Sequence, residues 1–137
     1  MAVPYIGHLA ARLRARFHVQ VQVSYSGAEP WTSAAVPVQG HVVRVFRSGG
    51  ALHVGDEVRF SVNVRPSGER IMPGLTFMPY DTFIQANYME VYLDGSPPEC
   101  EVPLDECVVI DAPTRRPQLR ASWIVYWIER TRISLYW

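Results

Sequence analysis

A two-residue alternation of apolar and polar side chains in two separate segments is the strongest constraint on the fold. The alternation runs through residues 17–25 and again through residues 57–65. Successive side chains of a strand point to opposite sides of a sheet, so this period predicts two strands that are each buried on one face. The buried face of the second strand is predicted to comprise Val58, Phe60, Val62 and Val64. His18 belongs to the polar face of the first strand, and we expect it at the surface.

The remaining elements follow from helical spacing, turn residues and shorter apolar runs. Helical spacing predicts a short helix over about residues 5–16, whereas residues 28–39 are predicted to form a loop because they contain two prolines. Further strands are predicted over 41–47, 83–93 and 107–110, with a β-bulge near Asn87 and a turn at Asp94-Gly95. The 137 residues fit a single domain, 1–137, with the helix first and a barrel over about 17–137. The fold class is therefore mainly β, a small five- to six-stranded barrel or sandwich with a short N-terminal helix.

The C-terminal segment is unusually aromatic and allows two interpretations. Residues 123–128 are apolar without a break, and their Trp, Ile, Val and Tyr side chains favour a strand. A helix is the alternative, because Ile124, Ile128, Thr131 and Leu135 recur at helical spacing. One barrel wall covers only one face of such a strand, and the N-terminal helix is long enough to cover only part of the other, so we expect a second protein chain to cover the rest. The residues predicted to bind that chain are Trp123, Tyr126, Trp127, Arg130, Arg132, Tyr136 and Trp137.

Charge is segregated along the chain although the formal net charge is zero. Residues 71–114 contain acidic residues and no basic ones, whereas the flanking segments have an excess of arginine. The acidic block either pairs with arginines of the same molecule or forms one side of a two-faced surface suited to head-to-tail association. A zero net charge argues against nucleic-acid binding, and no apolar run is long enough to span a membrane.

The residue types that carry catalysis or bind metals show no local signature. None of the four histidines forms a zinc-type pair, and no nucleophile elbow or phosphate loop is present. The acidic residues do not follow the spacing of a calcium loop. We therefore expect no catalytic residues, no bound metal and no cofactor, and a protein that is not an enzyme.

Cys100 and Cys107 are too far apart for a redox Cys-x-x-Cys motif. They are either two reduced thiols, which we favour, or a small disulfide formed in an oxidising compartment. The N-terminus lacks the order of a secretory signal, because its arginines follow the mildly apolar stretch. We therefore expect the protein in the cytoplasm or in a virus particle.

Three stretches resemble a known family of small barrels. They are His41-Val-Val-Arg-Val-Phe-Arg-Ser-Gly-Gly, Leu52-His-Val-Gly-Asp-Glu-Val-Arg-Phe and Ala86-Asn-Tyr-Met-Glu-Val-Tyr-Leu-Asp-Gly. Their order resembles the netrin-like OB-barrel pattern over about residues 40–95. The resemblance implies a five-stranded OB-like barrel used for binding. The N-terminal cysteines that tissue inhibitors of metalloproteinases direct at a protease zinc are absent, so no inhibitory role is carried over.

These observations favour a non-enzymatic protein-binding or assembly module, such as a repeated structural subunit of a surface or virus particle. The expected partner is protein, either further copies of the chain in a homo-oligomer or another assembly component. The alternative is an OB-type domain that binds an oligosaccharide or small molecule. In that case Trp31 and Tyr80 are the residues predicted to stack on the ligand.

Overall fold

Helices and strands follow one another closely along the described residues of the computed structural model, which are 5–26, 34–65, 78–121 and 123–136. The helices are α1 (Tyr5–Arg14), α2 (Tyr80–Ile84) and α3 (Trp123–Tyr136), with a 3₁₀ turn at Pro103–Asp105. The strands are β1 (Phe17–Ser26), β2 (Ala34–Arg47), β3 (Glu57–Arg65), β4 (Met78–Pro79), β5 (Tyr88–Ser96), β6 (Glu99–Glu101) and β7 (Cys107–Ile110).

Five of these strands close into a mixed barrel in the order β1-β2-β3-β6-β5-β1. The long strand β2 pairs with β3 through its first half and with β1 through its second half, which bends the sheet around. The bend needs a glycine at position 40, because a Cβ there would lie 2.7 Å from the carbonyl oxygen of Gln22. Pairing of β1 with β5 completes the barrel, and β7 adds an extra strand to β5. The mainly β barrel with a short N-terminal helix confirms the predicted fold class.

The barrel interior is filled by the apolar faces of its long strands. All four residues predicted to face inward from β3 are buried. Opposite pairs such as Val19 and Val91, or Val38 and Phe60, bring the walls together in register. The rest of the core comprises Phe17, Val21, Val36, Val42, Leu52, Phe83, Met89 and Leu93.

Two predicted boundaries within the barrel are wrong. Residues 34–39 belong to β2 and not to a loop, while residues 28–33 lie outside the described part. Pro37 is tolerated because residues 34–37 of β2 pair with β3 and not with β1, so one edge there needs no N–H donor. The strand predicted over residues 83–93 is divided, since α2 ends at Ile84 and β5 begins at Tyr88. The β-bulge predicted near Asn87 is therefore not needed.

The predicted turn at Asp94-Gly95 is also wrong. Both residues lie inside β5 and pair with β6, and the chain reverses at Pro97-Pro98 instead. A glycine is still needed at position 95, because the backbone φ there is 102°, in the region that favours glycine.

The C-terminal segment is helical over residues 123–136, so the preferred strand interpretation is wrong and the helical alternative is right. The barrel is already closed by β1 and β5, and α3 lies against α1 outside it. A helix satisfies its backbone hydrogen bonds internally and needs no neighbouring strand, which outweighs the strand preference of its side chains.

Replacing Phe60 with alanine should lower the free energy of unfolding by about 3–5 kcal/mol, because the ring is buried in the barrel core. Denaturant unfolding measures the change. Val54→Ala is the matched control, because Val54 is 66% exposed and its truncation should change stability by less than about 0.5 kcal/mol. Equal effects of the two substitutions would contradict the inward placement of Phe60.

Candidate functional site

A polar row crosses the outer face of the barrel where β1 and β5 pair. Gln20 lies opposite Glu90, and His18 lies opposite Tyr92. The segment that follows β7, residues 112–121, passes over this row, and we call it the strap. All four side chains of the row are buried, so the prediction that His18 lies at the surface is wrong. The polar face of β1 is covered by protein where the sequence pattern indicated solvent.

Glu90 is the centre of the row and holds the strap. Its carboxylate accepts hydrogen bonds from the backbone N–H groups of Gln118, at 2.8 Å, and Leu119, at 2.6 Å. It also lies 2.8 Å from Nε2 of Gln20 and 3.0 Å from Nε2 of His18. Four donors therefore compensate a carboxylate that is fully buried.

These hydrogen bonds decide the charge state of Glu90. Burial alone raises the pKa of a carboxyl, but the donors on His18, Gln20 and the strap outweigh it and lower the pKa of Glu90 to about 2. Glu90 is therefore ionised at neutral pH, and its charge is used to order the strap.

Two further contacts fix the strap on either side of Glu90. Thr114 and Gln20 form a reciprocal pair, in which the N–H of Thr114 donates to Oε1 and Nε2 of Gln20 donates to the threonine hydroxyl. The Tyr92 hydroxyl donates to the carbonyl of Leu119 at 2.6 Å. Burial raises the pKa of Tyr92 to about 12, so this hydroxyl keeps its proton at neutral pH.

A cleft of about 350 Å³ remains between the strap and the barrel wall. Its walls include His18 and Tyr92, whose rings stack with centroids 3.9 Å apart. The other lining residues are Arg47, Arg116, Pro117, Arg120 and Ala121.

A second buried carboxylate, Glu106, attaches α1 to the barrel. It accepts hydrogen bonds from Nδ1 of His8 and, at 2.7 Å, from Nε of Arg12. Arg47 fixes the other end of α1, because its Nη1 lies 2.8 Å from the carbonyls of both Arg12 and Ala15. A cation at this position suits the partial negative charge of a helix C-terminus.

Part of the acidic block pairs within the molecule, as one of the two interpretations predicted. Glu106 pairs with Arg12, and Glu99 pairs with Arg59 at 2.7 Å. Asp94 accepts the backbone N–H of Arg16. Glu101 and Asp111 are exposed.

Six of the seven predicted partner-binding residues lie on α3. Large apolar side chains at Trp123, Ile124, Trp127 and Ile128 are each between 52% and 73% exposed. Tyr126 is half-buried, and the guanidinium of Arg130 lies 5.0 Å from the Trp127 ring centroid. Arg132 and Tyr136 lie within the helix, although their side chains are outside the described part, as are Trp137 and Trp31. Tyr80 begins α2, and its side chain is likewise not described.

The sequence pattern missed Gln20, Glu90, Tyr92 and Glu106 as site residues. Glu90 offered a signal, because it is a single carboxylate within the otherwise apolar run from Tyr88 to Leu93. A charged residue inside such a strand requires compensating donors. Two of the four donors are backbone N–H groups 28 and 29 residues later, which no local pattern reveals.

Neither thiol forms a disulfide, and both pack against the core. Burial raises the pKa of Cys100 to about 11 and that of Cys107 to about 12. Both thiols are therefore protonated at neutral pH and poor nucleophiles.

Among the described residues, no group of three or more His, Cys, Asp or Glu side chains is arranged to hold a metal ion. The helices within the same ranges are too short or too polar to cross a bilayer.

No family model, curated protein or solved structure matches the chain.

Glu90→Gln should destabilise the protein by about 3 kcal/mol at pH 7, because the lowered pKa of Glu90 stabilises the fold only while the carboxylate is ionised. The contribution is complete above the unfolded pKa, near 4.5, and is lost as the pH falls toward about 2. Denaturant unfolding across pH 2–7 should therefore show the two stability curves converging at low pH. Curves that remain parallel would show that the charge of Glu90 does not stabilise the fold.

Thiol reagent added to unreduced, denatured protein should titrate both cysteines. In the native protein at pH 8 the same reaction should be slower by orders of magnitude, because burial disfavours both thiolates. The time course of absorbance gives the number of reactive thiols in the denatured protein and the rate of their reaction in the native protein. Rapid modification without denaturant would contradict the burial of these groups.

Proposed function

We propose that this chain is a non-enzymatic assembly module whose copies associate head to tail through the outer face of α3. The exposed apolar face of α3 carries the proposal. Trp123 and Trp127 are one helical turn apart, as are Ile124 and Ile128, so the four side chains form one continuous stripe. A stripe of this composition is costly to leave in water and is typical of an interaction site.

Aromatic contacts on the helix order this stripe before any partner binds. The half-buried Tyr126 meets Trp123 edge-on, with centroids 5.6 Å apart, and meets Trp127 at 5.5 Å. Arg130 lies over the Trp127 ring. Tryptophan and arginine are the residue types that most often dominate binding energy in protein interfaces, and pre-ordering lowers the entropic cost of association.

The complementary surface on a second copy is the edge of the barrel at β7. Among the described strands, β7 pairs with β5 alone. Two grooves of about 420 and 400 Å³ share Val109, Ile110 and the exposed Asp111 as lining residues. Apolar side chains beside one carboxylate complement the Trp127 and Ile128 stripe beside the Arg130 guanidinium.

A helix that binds a different surface on the next copy makes a heterologous contact, which produces rings or filaments. That geometry fits a repeated structural subunit of a surface or virus particle. The role of Glu90 also supports a non-enzymatic function, because its hydrogen bonds hold the strap that leads to α3.

The alternative, an OB-type domain for an oligosaccharide or small molecule, is supported by the closed five-stranded barrel. The netrin-like resemblance belongs to this alternative. It relies on Trp31 and Tyr80 as stacking residues, and on a monomer as the working form.

Charge reversal across the proposed contact provides the sharpest test. Arg130→Asp and Asp111→Arg should each place like charges opposite one another and reduce the mass measured by light scattering or native mass spectrometry. The double variant restores an opposite pair and should recover the wild-type mass. Circular dichroism verifies that each variant is folded.

Two matched variants separate the apolar stripe from general surface effects. Trp127→Ser should dissociate the assembly, whereas Val54→Ser, which changes an apolar residue of similar exposure in the turn between β2 and β3, should leave it intact. A wild-type chain that stays monomeric at millimolar concentration would overturn the proposal. Failure of the double charge variant to reassociate would overturn the β7 edge as the docking surface. Binding of the monomer to phospholipid vesicles through α3 would replace protein by a lipid surface as the partner.

A further inference from the structure

We propose that the cleft between the strap and the barrel wall binds the phosphate group of a small soluble phosphate monoester. The proposal is independent of assembly through α3 and concerns a different surface. It rests on the charge of the cleft, on the hydrogen-bond donors that its arginines leave unused, and on the contacts that hold the strap against the barrel.

All formally charged side chains that line the cleft are cationic. They are Arg47, Arg116 and Arg120. The ion pairs between arginines and carboxylates among the described residues use Arg12 and Arg59 and none of these three. The nearby carboxylate of Glu90 is fully buried behind its own hydrogen bonds and does not line the cleft. An anion in the cleft therefore meets arginine side chains and no lining carboxylate.

Each of the three guanidinium groups keeps donors that no described residue accepts. Arg47 uses Nη1 on the carbonyls of α1, and Arg120 uses Nε on the carbonyl of Pro117 at 3.2 Å. The guanidinium of Arg116 makes no hydrogen bond within the described part of the chain. Three arginines with unused guanidinium donors thus line one space of about 350 Å³.

This donor set matches a tetrahedral oxyanion better than a carboxylate. A phosphate monoester presents three oxygens and close to two negative charges, so it can be shared by three guanidinium groups, whereas a carboxylate has two oxygens and one charge. The remaining wall, formed by the stacked His18 and Tyr92 rings with Pro117 and Ala121, leaves room for a small organic group.

The cleft is held open by contacts that do not involve the ligand. The backbone after Pro117 is fixed by Glu90 and Tyr92, and the backbone before it is fixed by the contacts of Thr114 with Gln20. The carbonyl of Arg120 accepts a hydrogen bond from Arg12 at 2.9 Å. Arg47 is fixed by the end of α1. A site of this kind is largely preorganised, so little ordering is required on binding.

Isothermal titration calorimetry with phenyl phosphate, inorganic phosphate and acetate, at constant ionic strength, tests the proposal. We expect saturable binding whose affinity is highest for phenyl phosphate, lower for inorganic phosphate and lowest for acetate. Arg116→Gln and Arg120→Gln should each weaken phenyl phosphate binding about tenfold, the effect of losing one charge-assisted hydrogen bond. Arg115→Gln is the matched control, because Arg115 is exposed on the same strap but does not line the cleft, and its effect should stay below about twofold.

Each outcome of these measurements either supports or overturns the proposal. Unchanged melting temperatures in the glutamine variants separate loss of binding from loss of fold. Amide chemical-shift changes confined to residues 116–121 and the neighbouring strands would place the ligand in the cleft. Absence of saturable binding to the wild type overturns the proposal, and so does an equal loss in Arg115→Gln. Binding seen only with phosphatidic acid vesicles overturns the assignment to a soluble ester.

Discussion

The buried carboxylate of Glu90 is the interaction on which the outer architecture depends. A charge without solvent requires several donors, and the nearest available ones are side chains of β1 and backbone N–H groups of the strap. Satisfying that requirement brings residues 118 and 119 onto the barrel wall. The position of the strap then determines both the mouth of the basic cleft and the place from which α3 departs. The burial of the Glu90 charge therefore determines where both the basic cleft and α3 lie.

The sequence pattern predicted the barrel interior well because local periodicity and burial agree there. In β3, every second side chain faces a core that no later element modifies. The pattern failed where a second layer covers the barrel. His18 and Gln20 read as solvent-facing, yet a segment about 95 residues further along covers them. Such a layer leaves no periodic trace, because its contacts are made by backbone groups.

The C-terminal helix shows how the surroundings can override propensity. Its Trp, Ile and Tyr side chains favour a strand in isolation, but a strand needs a partner edge along its length. The chain leaves the strap beside α1, where a helix can satisfy its own backbone. Both interpretations left part of an apolar surface uncovered. The expectation of an exposed binding surface therefore did not depend on which secondary structure was chosen.

The strap contacts also join residues that are far apart in the chain. Gln20 and Thr114 are separated by 94 residues, and Arg12 and Arg120 by 108. Closing loops of this length costs conformational entropy, so we expect the barrel wall to form before the strap docks on it. Because α3 follows the strap in the chain and packs against α1, its placement depends on the same order, and in the assembly proposed above its apolar face would be correctly oriented only on a chain whose barrel has folded.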